Sequence, residues 1–172
     1  MSARPFLTLA AAALASLAVA GGGPAATVNA CTGPLLTGTF SAIRGSAGAG
    51  NISYALRLKN ASGRTCWVSG LAGLRLLDRK GRPLPTHVVP AFRPGLTAVR
   101  VVLRPGGRAH ATARFSPDVP GPGEGVVGAC ERTSYKVRVT PPPGGGTLVA
   151  PVTPPTPVCE HGGMQLSALG PG

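Results

Sequence analysis

Apolar and polar residues alternate with a period of two in several parts of the chain. Ile52, Tyr54, Leu56 and Leu58 alternate with Ser53, Ala55, Arg57 and Lys59. Successive side chains of a strand point to opposite faces, so the first set belongs in a core and the second in water. Val99, Val101 and Leu103 alternate around Arg100 in the same way. Ala109, Ala111, Ala113 and Phe115 alternate with Arg108, His110, Thr112 and Arg114. Tyr135, Val137 and Val139 read as a further strand. Leu36 to Ile43 alternates weakly, Cys66 to Val68 starts a strand and Leu74 to Leu77 reads as another, while Leu148 to Val152 and Met164 to Leu169 are weaker candidates. No segment repeats its apolar positions every 3.6 residues, so the pattern predicts strands and no helix.

Turn chemistry separates these segments. Gly45 to Gly50 is a glycine loop, and Asn60-Ala61-Ser62-Gly63 is a turn. Asp78-Arg79-Lys80-Gly81 has the Asp and Gly that open and close a type I turn. Pro83, Pro85, Pro90 and Pro94 confine their stretch to loop or edge segments. Arg104-Pro105-Gly106-Gly107 turns the chain between two alternating runs. If those runs form a hairpin, Leu103 must face Ala109 across a five-residue loop, Arg104 to Arg108, or the two faces mix. Residues 116–129 form another Pro/Gly loop. Seven to nine short strands without a helix predict an all-β fold, a β-sandwich. Its core is expected to be aliphatic, with Phe40, Tyr54, Trp67 and Phe115 as the large members.

The length, 172 residues, suits one domain, and the 26 Gly and 19 Pro fit many turns. A hydrophobic fraction of 43% supplies the apolar surface that a disordered chain lacks. Arg4 followed by the apolar run Phe6 to Ala20 and the small residues Ala18-Val19-Ala20 reads as a signal peptide over 1–20. The run is short for a membrane span, and no second one follows. Residues 21–30 then read as a flexible leader, and 31–172 as one β-sandwich domain. The expected location is secreted or extracellular, with the cell envelope as an alternative. A lipid anchor at Cys31 is the weaker reading, because Asn29 fits poorly before the Ala30-Cys31 pair.

Four cysteines in an exported chain predict two disulfides, for which three connectivities exist. Cys31–Cys66 and Cys130–Cys159 are the most local pairs and are favoured. Cys159-Glu160-His161 offers two possible metal ligands, but a tetrahedral zinc site needs four. No metal and no cofactor is expected.

Charge is the one positive functional hint. The formal net charge is +12, from 17 Lys and Arg against 5 acids, and such a field attracts anionic partners. Arg75, Arg79, Lys80 and Arg82 cluster around one turn. Arg100, Arg104, Arg108 and Arg114 are placed by the pattern on the solvent face of one hairpin. Guanidinium forks grip phosphate or carboxylate bidentately. The partners expected of an exported protein are anionic envelope polymers, lipid headgroups or an extracellular protein. A plain solvated face is the competing reading, and a GC-rich genome also favours Arg codons. Nucleic acid is disfavoured by export and by the lack of interleaved aromatics.

Catalytic patterns are absent. No serine is flanked as a hydrolase elbow requires, and no His-Glu-x-x-His or calcium loop occurs. Gly121-x-Gly123-x-Gly125 precedes no helix. The acids Asp78, Asp118, Glu124, Glu131 and Glu160 are few, and His87, His110 and His161 are scattered. The chain reads as a non-enzyme with no catalytic residues. Asn51 and Asn60 are formal glycosylation acceptors, and Asn60 better suits a turn role.

The run Asn60-Ala-Ser-Gly-Arg-Thr-Cys66-Trp-Val-Ser-Gly70, followed by Leu74-Arg-Leu-Leu-Asp78-Arg-Lys-Gly81, resembles the signature of an uncharacterised secreted actinobacterial domain family. Val101-Val-Leu-Arg-Pro105-Gly106 is similar to its central turn, and Cys130 and Cys159 to its late cysteine pair. The resemblance spans 31–169 and implies an immunoglobulin-like sandwich that often works at the envelope. It implies no activity. The expected function is a secreted, disulfide-stabilised binding or structural module of the envelope. The alternative is a docking or inhibitory protein for an extracellular hydrolase.

Overall fold

The computed structural model describes residues 27–92 and 98–172. The expected signal peptide (1–20) and most of the expected leader lie outside the described residues. Eleven strands follow in order: β1 (Leu36–Ala42), β2 (Ile52–Asn60), β3 (Cys66–Val68), β4 (Gly73–Leu77), β5 (His87–Pro90), β6 (Val101–Leu103), β7 (Arg108–Phe115), β8 (Ser134–Thr140), β9 (Leu148–Thr156), β10 (Gly163–Leu166) and β11 (Gly170–Pro171). The fold is all-β, broadly a β-sandwich. The described strands exceed the expected seven to nine because several are only two to four residues long. β5 is a short edge segment of the kind its prolines dictate. Cys159–Gly162 is one turn with left-handed backbone at Glu160 (φ 56°) and His161 (φ 53°), not a true helix.

One long sheet has the order β4-β8-β9-β1-β2-β7-β10-β5, with β11 also on β7, and β3 and β6 form a two-stranded sheet. The long sheet rolls around a single core. Leu76 of β4, Val137 and Val139 of β8, Phe40 of β1, Leu56 and Leu58 of β2 and Leu166 of β10 all enter one buried cluster. Phe40, Tyr54 and Phe115 meet with ring centroids 5.2 to 6.5 Å apart. Burial pushes the Tyr54 phenol up from its ordinary value despite a hydrogen bond with Thr156, and its hydroxyl donates to the Pro154 carbonyl at 2.8 Å.

The alternation of β7 and most of that of β2 lie as their patterns indicate, although Ala55, expected in water, is buried; the expected hairpin between residues 99–103 and 108–115 does not form. β6 pairs with β3, placing Leu103 opposite Cys66. β7 pairs with β2 instead: Leu58 faces Ala109, Leu56 faces Ala111 and Tyr54 faces Ala113. The small inner face of β7 complements the large inner face of β2, a match that the aliphatic Val101 and Leu103 do not offer. The Arg104–Gly107 turn therefore carries the chain from one sheet to the other. Gly107 N–H closes it on the Arg104 carbonyl at 2.7 Å.

Alternation in β8 fails at one point. A register shift between Ser134 and Lys136 turns Tyr135 out of the core and buries Ser134 instead. From Ser134 to Lys136 the partner strand β9 passes from Thr156 to Pro151, so the ladder is interrupted there and the period-two alternation is lost locally. Trp67 is only half-buried, standing beside the core rather than in it.

The end of the expected leader is paired. Ala30 bridges Trp67, the Asn29 carbonyl accepts from Trp67 N–H, and the Val28 carbonyl accepts from Trp67 Nε1 at 3.0 Å. Disulfides join Cys31 to Cys66 and Cys130 to Cys159, with Cα atoms 4.9 and 5.5 Å apart. Among the described residues no helix is long and apolar enough to cross a membrane.

Candidate functional site: an acid-free sheet surface

All five acids, Asp78, Asp118, Glu124, Glu131 and Glu160, lie outside the strands. The strands carry Arg57, Lys59, Arg75, Arg108, Arg114, Lys136 and Arg138 and no Asp or Glu. Their outer faces are accordingly cationic or neutral. Two cross-strand pairs set cation directly against cation: Lys59 faces Arg108, and Arg75 faces Arg138. Like charges in register destabilise a sheet by roughly 0.2–1 kcal/mol. Among the described residues none of these four reaches a carboxylate.

The Lys59–Arg108 pair borders a shallow trough. A depression of about 430 Å³ is lined by Ile43, Ala55, Arg57, Arg108, His110 and Thr112. A second, of about 250 Å³, shares Arg57 and Arg108 and adds Thr37, Thr39 and Lys59. Ala55 is 5% exposed yet stands apart from the main core cluster, so it floors the trough. Arg57 Nη1 donates to Ser41 Oγ at 3.0 Å, which steadies the guanidinium and leaves most of its donors free.

The eight cations singled out from the sequence fall into four environments. Arg108 and Arg114 share the outer face of β7. Arg100 lies 4.4 Å over the Trp67 ring and donates to the Val28 carbonyl at 3.2 Å, and Arg104 sits in the inter-sheet turn. These four do not line one hairpin, because that hairpin is absent. Arg75, Arg79, Lys80 and Arg82 do gather at the end of β4. Arg82 is engaged there: its Nε donates to Asp78 Oδ2 at 2.6 Å. Burial disfavours the Asp78 charge, but N–H donors of Arg82 and Lys80 and the Arg82 charge hold its carboxyl below the ordinary range. Arg79 lies 4.5 Å over the Tyr135 ring and donates to its hydroxyl at 3.0 Å. Arg75 and Lys80 are exposed and unpaired among the described residues.

Sequence reasoning did not include Arg57, Lys59, Lys136 and Arg138 in the site. Their signal was present: each sits at a polar position of an alternating strand. What was missing was the partner strand that sets them against other cations.

A second polar grouping lies beside the Cys130–Cys159 disulfide. The Glu124 side chain is 2% exposed. Its carboxylate accepts from the N–H groups of Gly121, Glu160 and His161, pinning the left-handed turn. His161 Nδ1 lies 3.7 Å from Oε1 of both Glu124 and Glu131. One ligand atom from each of these three residues falls within 4.8 Å of the others. The Glu124 oxygens are already occupied by N–H donors, and the cysteines are consumed in the disulfide. Structural anchoring of the turn is what this geometry achieves.

A pH dependence follows from this anchor. Burial disfavours the Glu124 charge, yet the three N–H donors and the nearby His161 hold its carboxyl below the usual carboxylate range. A depressed carboxyl stabilises the fold above its unfolded value, about 4.3, and that contribution is lost as pH falls toward the folded value. Wild type should therefore melt above Glu124→Gln at pH 7, with the gap closing below pH ~4. Melting curves of both proteins from pH 7 to 3 measure this; a gap independent of pH would contradict the assignment.

The sequence pattern of one family, described as Domain of unknown function (DUF4232), matches residues 31–169. No curated protein and no solved structure matches the chain.

Proposed function

We propose that this chain, which belongs to the DUF4232 family, is an exported binding module that holds an anionic partner of the cell envelope on its outer sheet face. One observation carries the reading: Lys59 and Arg108 stand in register beside the trough, and no carboxylate among the described residues comes within 4.0 Å of either to form an ion pair. A sheet that sets like charges opposite one another gives up stability that an external anion restores. The signal-peptide pattern and two disulfides support an oxidising, extracytoplasmic location. The absence of catalytic motifs supports binding over turnover.

The test is retention of the purified mature domain on isolated envelopes across a salt series. Retention should fall steeply as ionic strength rises, because exposed charge pairs are screened within about 10 Å at 0.1 M salt. Arg108→Glu sharpens the test. It replaces a repulsive pair with an attractive one, so the fold should gain about 0.5 kcal/mol while retention drops roughly tenfold. Retention indifferent to both salt and Arg108→Glu would overturn the proposal. A second reading, docking onto an extracellular hydrolase, has support in Val126 and Val127, which stand almost fully exposed in the 117–129 loop. Salt-resistant capture of a protein, lost in Val126→Ser with Val127→Ser, would favour that reading instead.

A further inference from the structure

We propose that the domain is a cross-linker, with two separate cationic stripes that engage two chains of a linear phosphate polymer at once. The inference rests on the anionic-partner reading and adds the valency and the ligand class. One stripe is centred on Lys59 and Arg108, the other on Arg75 and Arg138. Strands β9 and β1 lie between them in the sheet. Their intervening outward positions, among them Thr37, Thr39 and Val149, carry no charge.

Two magnitudes make the stripes independent. From β8 to β2 is three strand steps, about 14 Å at 4.8 Å per step. That exceeds the Debye length of about 8 Å at physiological salt, so neither stripe screens or assists the other strongly.

Within a stripe the spacing suits a polymer. The Cβ atoms of facing cations are about 5 Å apart across the strands, and positions two apart along a strand are separated by about 6.7 Å. Arg57 and Lys59 on β2, with Arg108 on β7, thus present charges at intervals that successive phosphates of an extended chain can meet. A chain following one stripe would have to leave the strand direction and cross uncharged strands to reach the other. Two chains, one per stripe, satisfy both sets of cations without that detour.

The test uses long-chain inorganic polyphosphate and light scattering, with binding measured separately on immobilised polyphosphate. Wild type should bind, and scattering should rise with added protein, peak and fall as excess protein coats each chain. Lys59→Gln with Arg108→Gln, and separately Arg75→Gln with Arg138→Gln, should each still bind but scatter at least fivefold less. Each pair removes a repulsion, so folding should survive, which melting curves verify. Arg44→Gln with Arg64→Gln removes the same charge from exposed loop positions and should scatter like wild type. Undiminished scattering in either stripe variant, or equal loss in the loop control, overturns the proposal. Binding by wild type without scattering overturns cross-linking alone. No binding to polyphosphate overturns the anionic-polymer reading with it, and scattering only with phosphatidylglycerol vesicles replaces the polymer by a membrane surface.

Discussion

Asn60→Ala should lower the stability of the domain by about 3–5 kcal/mol, among the largest effects of any polar substitution in this chain. Asn60 is fully buried at the end of β2. Its Nδ2 donates to the carbonyls of Arg64 at 2.7 Å and Leu103 at 2.9 Å. Its Oδ1 accepts from Ser62 N–H at 3.0 Å and Ser62 Oγ at 2.7 Å. Its own main chain exchanges hydrogen bonds with Gly106 and Gly107 in the inter-sheet turn. One side chain thus ties β2, the 61–64 turn and β6 together. Alanine deletes these four side-chain hydrogen bonds at a buried site and leaves the Ser62 N–H without its acceptor; at roughly 1 kcal/mol for each lost bond the total reaches the expected range. At roughly 2–4 °C per kcal/mol for a domain of this size, the melting temperature should fall by about 10 °C. Ser62→Ala, which removes only a hydroxyl, should cost about 1 kcal/mol. Equal losses in the two variants would show that the turn, and not the link to β6, is what Asn60 supports. The same burial leaves the Asn60 amide no room for a glycan, whatever its sequence motif.

This residue also marks how far the sequence was legible. Asn60 reads as a turn residue from Asn-Ala-Ser-Gly, and it is one. Its tie to Leu103 is not readable, because that contact depends on β6 pairing with β3. The alternations of β2 and β7 fixed which side chains face inward, since a period of two leaves only two choices. They did not fix the partner. Val101, Leu103 and the alanines of β7 are all acceptable inward residues, and only the packing of Ala109, Ala111 and Ala113 against Leu58, Leu56 and Tyr54 selects β2. The cationic site inherits the same limit. Arg108 stands out in the sequence, but its opposition to Lys59 is a fact of register.

Local chemistry was readable where one residue dictates it. Asp78-Arg79-Lys80-Gly81 closes as a turn, with Gly81 N–H on the Asp78 carbonyl at 3.0 Å. The left-handed conformation at Glu160 and His161 was not readable, since two consecutive non-glycine residues seldom adopt it. Glu124, more than thirty residues earlier, holds the turn by accepting N–H donors from both.

Gly162→Ala should be as damaging as the loss of Asn60, for reasons of space rather than hydrogen bonding. Gly162 extends the left-handed run with φ at +77°, a conformation that costs an alanine about 1–2 kcal/mol. It is also packed against main chain. A methyl group there would overlap the Pro85 carbonyl and lie 2.8 Å from Thr86 Cα. That backbone has little freedom to move, because the next residue, His87, is paired in register with Gly163. Forcing a carbon into such a contact adds about 1–3 kcal/mol, for a total of about 2–5 kcal/mol. Gly81 and Gly106 supply the controls: both have positive φ, and a methyl group at either meets nothing within 4 Å. Alanine at those positions should cost only the conformational part, about 1–2 kcal/mol. Thermal melts of the three variants separate the contributions. If Gly162→Ala melts no lower than Gly81→Ala, the close approach of Pro85 is not a constraint on the fold. If it melts well below, the Cys159–Gly162 turn is a fixed joint that holds β5 and β10 in register at the sheet edge.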